Sequence, residues 1–252
     1  MKLNLSTIKH ICQSAIETIR RFPLPIISIV IASILMIVFT ELQERHITKY
    51  ITVIKNLSVI FIIGFPVLLS LNLLFESRST TVKNKFIITI FVIILLIIYY
   101  FSLPEKFKEL HIIRIIILNI TFCFVIMYAG FIKDNQSSNF TKFNIHLLIR
   151  LIITGFFSGV IYIGLSSAIF SIKELFNIKI PPRVFGQLWF VVQGIYAPIY
   201  FLSAIPKDIK VFEDEFTYPP VLQILIRYIL FPMVTIYLLI LYIYLGKIII
   251  IQ

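Results

Sequence analysis

Seven runs of this chain contain no charged residue, and each is 18 to 22 residues long. They are Phe22–Thr40, Leu57–Phe75, Phe86–Leu103, Ile115–Ile132, Leu151–Ile172, Val184–Ile205 and Tyr228–Gly246. A bilayer's hydrocarbon core is crossed by ~20 helical residues, so each run is long enough to span it. In that medium backbone polar groups must be satisfied internally, and an α-helix does this within one segment. The pattern predicts an all-α fold, a polytopic membrane helix bundle of seven transmembrane helices. Charged residues make up only 14% of the chain, too few for an ordinary soluble domain, where they are about a quarter. Pro23 and Pro25 open the first run, where a proline costs least. Gly64, Pro66, Pro198 and Pro232 lie further inside theirs, where neighbouring helices must re-satisfy the freed backbone groups.

Residues 1–21 read differently. Leu5, Ile8, Cys12, Ala15 and Ile19 recur at three- and four-residue steps, with Lys9, Gln13, Glu17 and Arg20 on the other side. This predicts an N-terminal amphipathic helix that leads into Arg20-Arg21 and lies flat on the cytoplasmic leaflet. The chain thus divides into an interfacial helix, residues 1–21, and a seven-span domain, residues 22–252. The formal charge of +11 would suggest nucleic acid on a soluble chain. Here the basic residues sit in short connections between apolar runs, which points to anionic lipid head groups. Membrane lipids are the expected partners, a protein partner in the membrane the second class, and nucleic acid is excluded. With the N-terminus inside, 13 of the 23 basic residues fall in inner connections and 10 in outer ones, the bias that the positive-inside rule requires.

Two inner connections are longer than a turn. Asp134–Arg150 starts polar and then sets Phe140, Phe143 and Leu147 against Lys142, His146 and Arg150, the pattern of an interfacial helix entering the fifth span. Lys207–Arg227 holds the acidic cluster Glu213-Asp214-Glu215 and the break Tyr218-Pro219-Pro220, which read as solvated surface.

No phosphate-binding glycine loop, no His-Glu-x-x-His, no Gly-x-Ser-x-Gly and no Cys-x-x-Cys occurs in the sequence. Cys12 and Cys123 form neither a disulfide framework nor a metal-ligand spacing. No acidic residue lies deep in a span, which counts against proton coupling. Catalytic residues, cofactors and metals are therefore not expected, and the chain reads as a non-enzyme. In the fifth run, Gly155 and Gly159, followed by Gly164, Ser166 and Ser167, are small residues of the kind that at four-residue spacing let helices approach closely, which reads as packing.

The sixth run carries a polar stripe at seven-residue spacing: Gly186, Trp189, Gln193, Tyr196, Tyr200 and Ser203. The seventh has Tyr228, Pro232, Thr235, Leu239, Tyr242 and Gly246 at the same spacing. The expectation is that the two spans pack through these stripes, with Gln193 near mid-membrane. Trp189, Gln193, Tyr196, Tyr200, Thr235 and Tyr242 form the candidate intramembrane site. The favoured reading is interhelical packing with Gln and Tyr as hydrogen-bonding glue, and the alternative is a shared polar cavity between the two spans.

Several short pieces then carry a family resemblance. They are Arg20-Arg21-Phe22-Pro23-Leu24, Phe143-Asn144, Leu188-Trp189, Ala204-Ile205-Pro206, Tyr218-Pro219, Tyr228-Ile229-Leu230-Phe231-Pro232 and Tyr242-Ile243-Tyr244-Leu245-Gly246-Lys247. In this order and spacing the chain resembles the integral-membrane family known as domain of unknown function 4153. The resemblance implies a multi-pass protein of the bacterial cytoplasmic (inner) membrane, with no established activity and no functional residues to carry over. It also implies that a chain ending at Gln252 is a fragment or a shortened member. A non-catalytic structural or regulatory membrane module is the expected role, and a transporter or channel for a small solute or lipid is the alternative.

The basic-residue bias predicts a cytoplasmic Glu213-Asp214-Glu215 loop and an external connection at Asn177–Arg183. Single cysteines placed in each loop of a chain lacking Cys12 and Cys123 report the side through an impermeant thiol reagent. Labelling of the acidic loop from outside intact spheroplasts reverses the assignment.

Overall fold

The structure is a computed structural model that describes residues 5–45, 50–77, 81–105, 107–129, 137–205 and 229–251. It is all helical, with no strand among the described residues. The helices are α1 (Leu5–Arg21), α2 (Pro23–Glu44), α3 (Ile51–Ser77), α4 (Val82–Ser102), α5 (Glu109–Ala129), α6 (Ser137–Phe176), α7 (Arg183–Val191), α8 (Ala197–Ser203) and α9 (Phe231–Ile251). A five-residue π-turn, Val192–Tyr196, joins α7 to α8, so the two run as one rod. By length and composition, six helical stretches can cross a membrane: α2, α3, α4, α5, the Phe140–Phe176 part of α6, and the α7/α8 rod. Helix α9 covers the seventh predicted run from Phe231 onward and is apolar over Phe231–Tyr244. The chain is therefore a multi-pass membrane protein. The Lys207–Arg227 connection with its acidic cluster, Tyr228, and the side chains of Leu5, Ile8 and Cys12 lie outside the described residues.

Helix α3 is the most deeply buried span and packs against α2, α4 and α5. Helices α2, α3, α5, α6 and the α7/α8 rod form a closed ring of neighbours. Outside it, α4 touches only α3 and α9 touches only α6 among the described helices. Close backbone approach drives two of these contacts. Gly194 on the rod faces Ser33 of α2, and Gly64 on α3 faces Ser28, so neither position has room for a Cβ. Ser28 Oγ donates to the Phe61 carbonyl at 2.8 Å and ties α2 to α3.

The ends of the helices are cross-tied in two sets. At one end, Arg21 donates from Nε to Glu76 Oε1 (2.9 Å), from Nη2 to Glu76 Oε2 (2.7 Å) and from Nη1 to the Ile205 carbonyl (2.7 Å). One guanidinium thereby joins the start of α2, the end of α3 and the end of the rod. Ser77 Oγ donates to the Ala129 carbonyl at 3.1 Å, and His146 Nε2 lies 3.2 Å from the Ala204 carbonyl. These bring in the end of α5 and the first turns of α6. At the opposite end, Arg183 Nη1 lies 2.9 Å from Glu44 Oε2 and 3.2 Å from Glu41 Oε2. Lys55 Nζ there donates to the Glu105 carbonyl at 2.6 Å and sits over the Phe107 ring. Each tie links ends that an up-and-down topology places on the same side.

The predicted interfacial helix before the fifth span is corrected. Residues 137–150 are helical but continue without a break into α6, which at 40 residues is about 60 Å long. Phe143 and Leu147 are covered by protein rather than turned outward. They are buried with Phe22, Leu73, Ala129 and Leu202 in the main core, at the Arg21 end. Aromatic and aliphatic residues at four-residue steps fit a lipid face and a protein face equally well, and here the ring supplies the protein. Helix α6 ends at Asn177, whose left-handed φ of 53° lets the Ile178 N–H reach the Lys173 carbonyl at 3.1 Å.

Helix α1 packs on the end of the rod with Thr18 buried, while Ile16 and Ile19 stay exposed. Gln13, Glu17 and Arg20 of the predicted polar side are exposed as well, so among the described side chains of α1 Thr18 alone is buried.

Replacing Arg21 with Met removes three charge-assisted hydrogen bonds and leaves the Glu76 carboxylate without its cation. The expected loss is about 1–3 kcal/mol, and less for Glu76→Gln, which keeps an acceptor. Thermal unfolding in detergent measures both, and an unchanged Arg21→Met melting temperature refutes the role given to the guanidinium.

Candidate functional site

Gln193 occupies the midpoint of the rod, ten residues from either end, or about 15 Å along the helix. Pro198 has no N–H for the Gly194 carbonyl, and the helix widens just before it. The Ala197 N–H bonds the Val192 carbonyl, five residues back, which defines the π-turn. Gln193 lies within this widened turn and points toward α6. There Ser158, fully buried, donates to Gln193 Oε1 at 3.1 Å and shares its proton with the Gly155 carbonyl at 3.2 Å. The inward orientation expected of Gln193 is found, but its partner is α6.

The rest of the stripe is used for contacts of the same kind. Trp189 is 44% exposed and meets Tyr162 of α6 edge-on, with ring centroids 5.0 Å apart. Tyr196 and Tyr200 stack at 5.8 Å, and Tyr200 leans on Phe157 at 5.6 Å. Thr235 and Tyr242 do not join them. The expectation that spans six and seven pack directly is corrected, because α6 stands between the rod and α9. Thr235 donates to the Phe231 carbonyl of its own helix at 2.9 Å, so its hydroxyl needs no neighbour. Tyr242 is 66% exposed. The packed face of α9 is Met233, Tyr237, Ile240 and Tyr244, a stripe of the same seven-residue period displaced around the helix. Tyr237 donates to the Gly164 carbonyl at 2.9 Å, Met233 fills the space that Gly164 leaves, and Tyr244 meets Phe176 edge-on. Among the described residues, it is only at the Phe157–Ile229 cluster that side chains of both spans, Tyr200 and Met233, gather on one hydrophobic patch.

The cavity beside Gln193 lies elsewhere than expected. A crevice of about 470 Å³ opens inside the ring, between α3, α5, α6 and the rod. Its walls are mainly apolar, and Pro66, Pro198 and Phe201 are among them. Gln193, Ser158, Thr154 and Asn119 are polar residues among its lining. Ile120, Phe124, Leu148 and Leu151 also line it and are exposed, so its mouth faces the lipid between α5 and α6. Gly155 lies on this wall with open space where a Cβ would stand, and Gly159 is likewise open. Of the three glycines read as a close-packing motif, only Gly164 has a neighbour in contact. Asn119 was missed because it sits in a largely apolar run with no polar stripe at helical spacing to single it out.

Among the described residues no cluster of His, Cys, Asp and Glu is arranged to hold a metal ion. The family described as Domain of unknown function (DUF4153) matches residues 26–251. The chain belongs to this family. The matched stretch takes in α2 from Ile26 and the described helices from α3 to α9 of this DUF4153 protein, and with them the crevice and the Arg183 ties, while Arg21 precedes it. No curated protein and no solved structure matches it.

The displaced stripe on α9 makes a direct test. Tyr237→Ala should lower the melting temperature in detergent, since it removes an interhelical hydrogen bond worth about 0.6 kcal/mol together with its packing. Tyr242→Ala should leave it unchanged, and the reverse order would restore the stripe read from the sequence.

Proposed function

We propose that this protein is a non-catalytic structural or regulatory module of the bacterial cytoplasmic membrane, with its N-terminus and the Arg21 end inside. What supports the reading is the double tie between the first span and the sixth. The Arg21 guanidinium holds the rod to α2 and α3 at one end, and Arg183 holds it to Glu41 and Glu44 at the other. Carriage of a small solute or lipid, the alternative function, would need these two ends to open in turn, and a pair fixed at both resists that motion. In this role the protein's partners are membrane lipids along its exposed apolar faces and a protein partner held in the same membrane. Helix α4 offers such a face, since no residue of it is buried.

Spin labels test the double tie without touching it. One pair, Leu24→Cys with Ser203→Cys, reports on the Arg21 end, and a second, Gln43→Cys with Lys179→Cys, on the Arg183 end, each in a chain lacking Cys12 and Cys123. Pulsed electron resonance in lipid nanodiscs should give one narrow distance at each end. Two populations at either end would favour the carrier.

A further inference from the structure

The crevice carries an inference that does not depend on the structural role. Its polar atoms are not all spent. Gln193 Oε1 accepts the Ser158 proton, while the Nε2 group makes no hydrogen bond among the described residues. Across the crevice, Asn119 Nδ2 donates to the Ile115 carbonyl at 2.9 Å, and its Oδ1 likewise has no partner among the described residues. An unused donor in hydrocarbon is costly, so a site that retains one favours a ligand with an acceptor to offer. The crevice falls within the usual 300–1,000 Å³ of small-molecule sites, and its few convergent polar groups in apolar walls match their usual make-up.

Depth selects the ligand. Gln193 and Asn119 each sit at the middle residue of their span, about 15 Å along the helix from either end. The hydrocarbon core is about 30 Å thick, so the polar head-group layers begin about 15 Å from both residues. The ester carbonyls of a phospholipid belong to those layers, and only its bare chains reach the crevice. A ligand that brings an acceptor to mid-membrane must have no charged head and must carry a neutral carbonyl on an otherwise apolar body. Entry is lateral, because the mouth between α5 and α6 faces lipid and the core around Phe143 and Leu202 closes the Arg21 end.

We propose that this crevice binds a lipid-soluble carbonyl compound of the long-chain quinone class, with Gln193 Nε2 donating to a ring carbonyl. Asn119 Oδ1 on the facing wall is placed to accept the hydroxyl of the reduced form.

The test uses the full chain in nanodiscs and two probes. Decylubiquinone supplies ring carbonyls and has no free ring position for thiol addition. Decylbenzene has a similar body and no oxygen. Saturable binding of decylubiquinone is expected, with protection of Cys123, which lines the crevice, from N-ethylmaleimide in a Cys12→Ala chain. Decylbenzene should bind at least threefold more weakly. Gln193→Leu should weaken decylubiquinone by about threefold to tenfold, the range of one interhelical-strength hydrogen bond, and leave decylbenzene unchanged. Gly155→Leu places a side chain in the open part of the crevice and should abolish binding of both while the melting temperature holds. Equal binding of the two probes, an unchanged affinity in Gln193→Leu, or binding that survives Gly155→Leu overturns the proposal. If Gln193→Leu fails to fold, the probe comparison and Gly155→Leu decide alone.

Discussion

One guanidinium holds three spans. Arg21 satisfies both oxygens of Glu76 and the last free carbonyl region of the rod at Ile205, and its plane also lies 4.7 Å over the Phe22 ring. A lysine could not do this, because its ammonium is a point charge without the planar fork that pairs a carboxylate at two atoms. The pair is partly exposed, with side-chain exposures of 17% and 32%, so neither ion bears the full cost of burial. Its position matters more than its strength. The largest core cluster, from Phe22 and Leu73 to Phe143 and Leu202, lies directly beneath it. Without the tie, the ends of α2, α3 and the rod would meet only through apolar contacts, which give little preference for one helix over lipid.

The ring and its crevice follow from that arrangement. Fixing the rod at Arg21 and again at Arg183 leaves it little freedom to slide, yet Pro198 interrupts its hydrogen bonds near the middle. The mismatch is absorbed as a π-turn, and Gly194 lets the widened helix press on Ser33 of α2. Pressed toward α2, the rod leaves space on its other side, where Gly155 contributes no side chain. The crevice is that space. A proline, two glycines and a clamp at each end together account for a cavity in the one place where Gln193 can line it.

The sequence made the spans legible and misassigned two neighbours. Charge-free runs of bilayer length report helices reliably because hydrocarbon permits few other structures. The end ties were not legible, since Arg21–Glu76 and Arg183–Glu44 join residues far apart in the chain with no local pattern. The error at α9 has a more specific cause. Each face of an apolar helix can be read as a seven-residue stripe, and polarity was used to choose among the faces. Thr235 defeats that choice by bonding to its own backbone, and Tyr237, in a run that looks purely greasy, makes the interhelical bond. The turn of Gln193 toward a neighbouring helix was legible because an amide in an apolar run has fewer options than a hydroxyl. What the sequence could not supply was which helix would face it.

That contrast extends to the whole bundle. Its hydroxyls largely look after themselves: Ser33, Ser70, Thr89, Thr121, Thr154 and Ser171 each donate to a carbonyl three or four residues back. Such residues reveal little about partners, however polar they look in a hydropathy profile. An amide carries two donor protons and an acceptor, more than the preceding turn can take up. Asn56, Asn72 and Asn144 each keep one buried side-chain atom without a partner, and Gln193 and Asn119 line the crevice with one amide group each outside any hydrogen bond among the described residues. In a membrane chain with so few charges, the amides are therefore the side chains whose surroundings must be explained. Two of them converge on the same space, which separates that crevice from the larger groove between α4 and α5, where no amide lines the wall and the hydroxyl of Thr121 is bonded to the Ile117 carbonyl of its own helix.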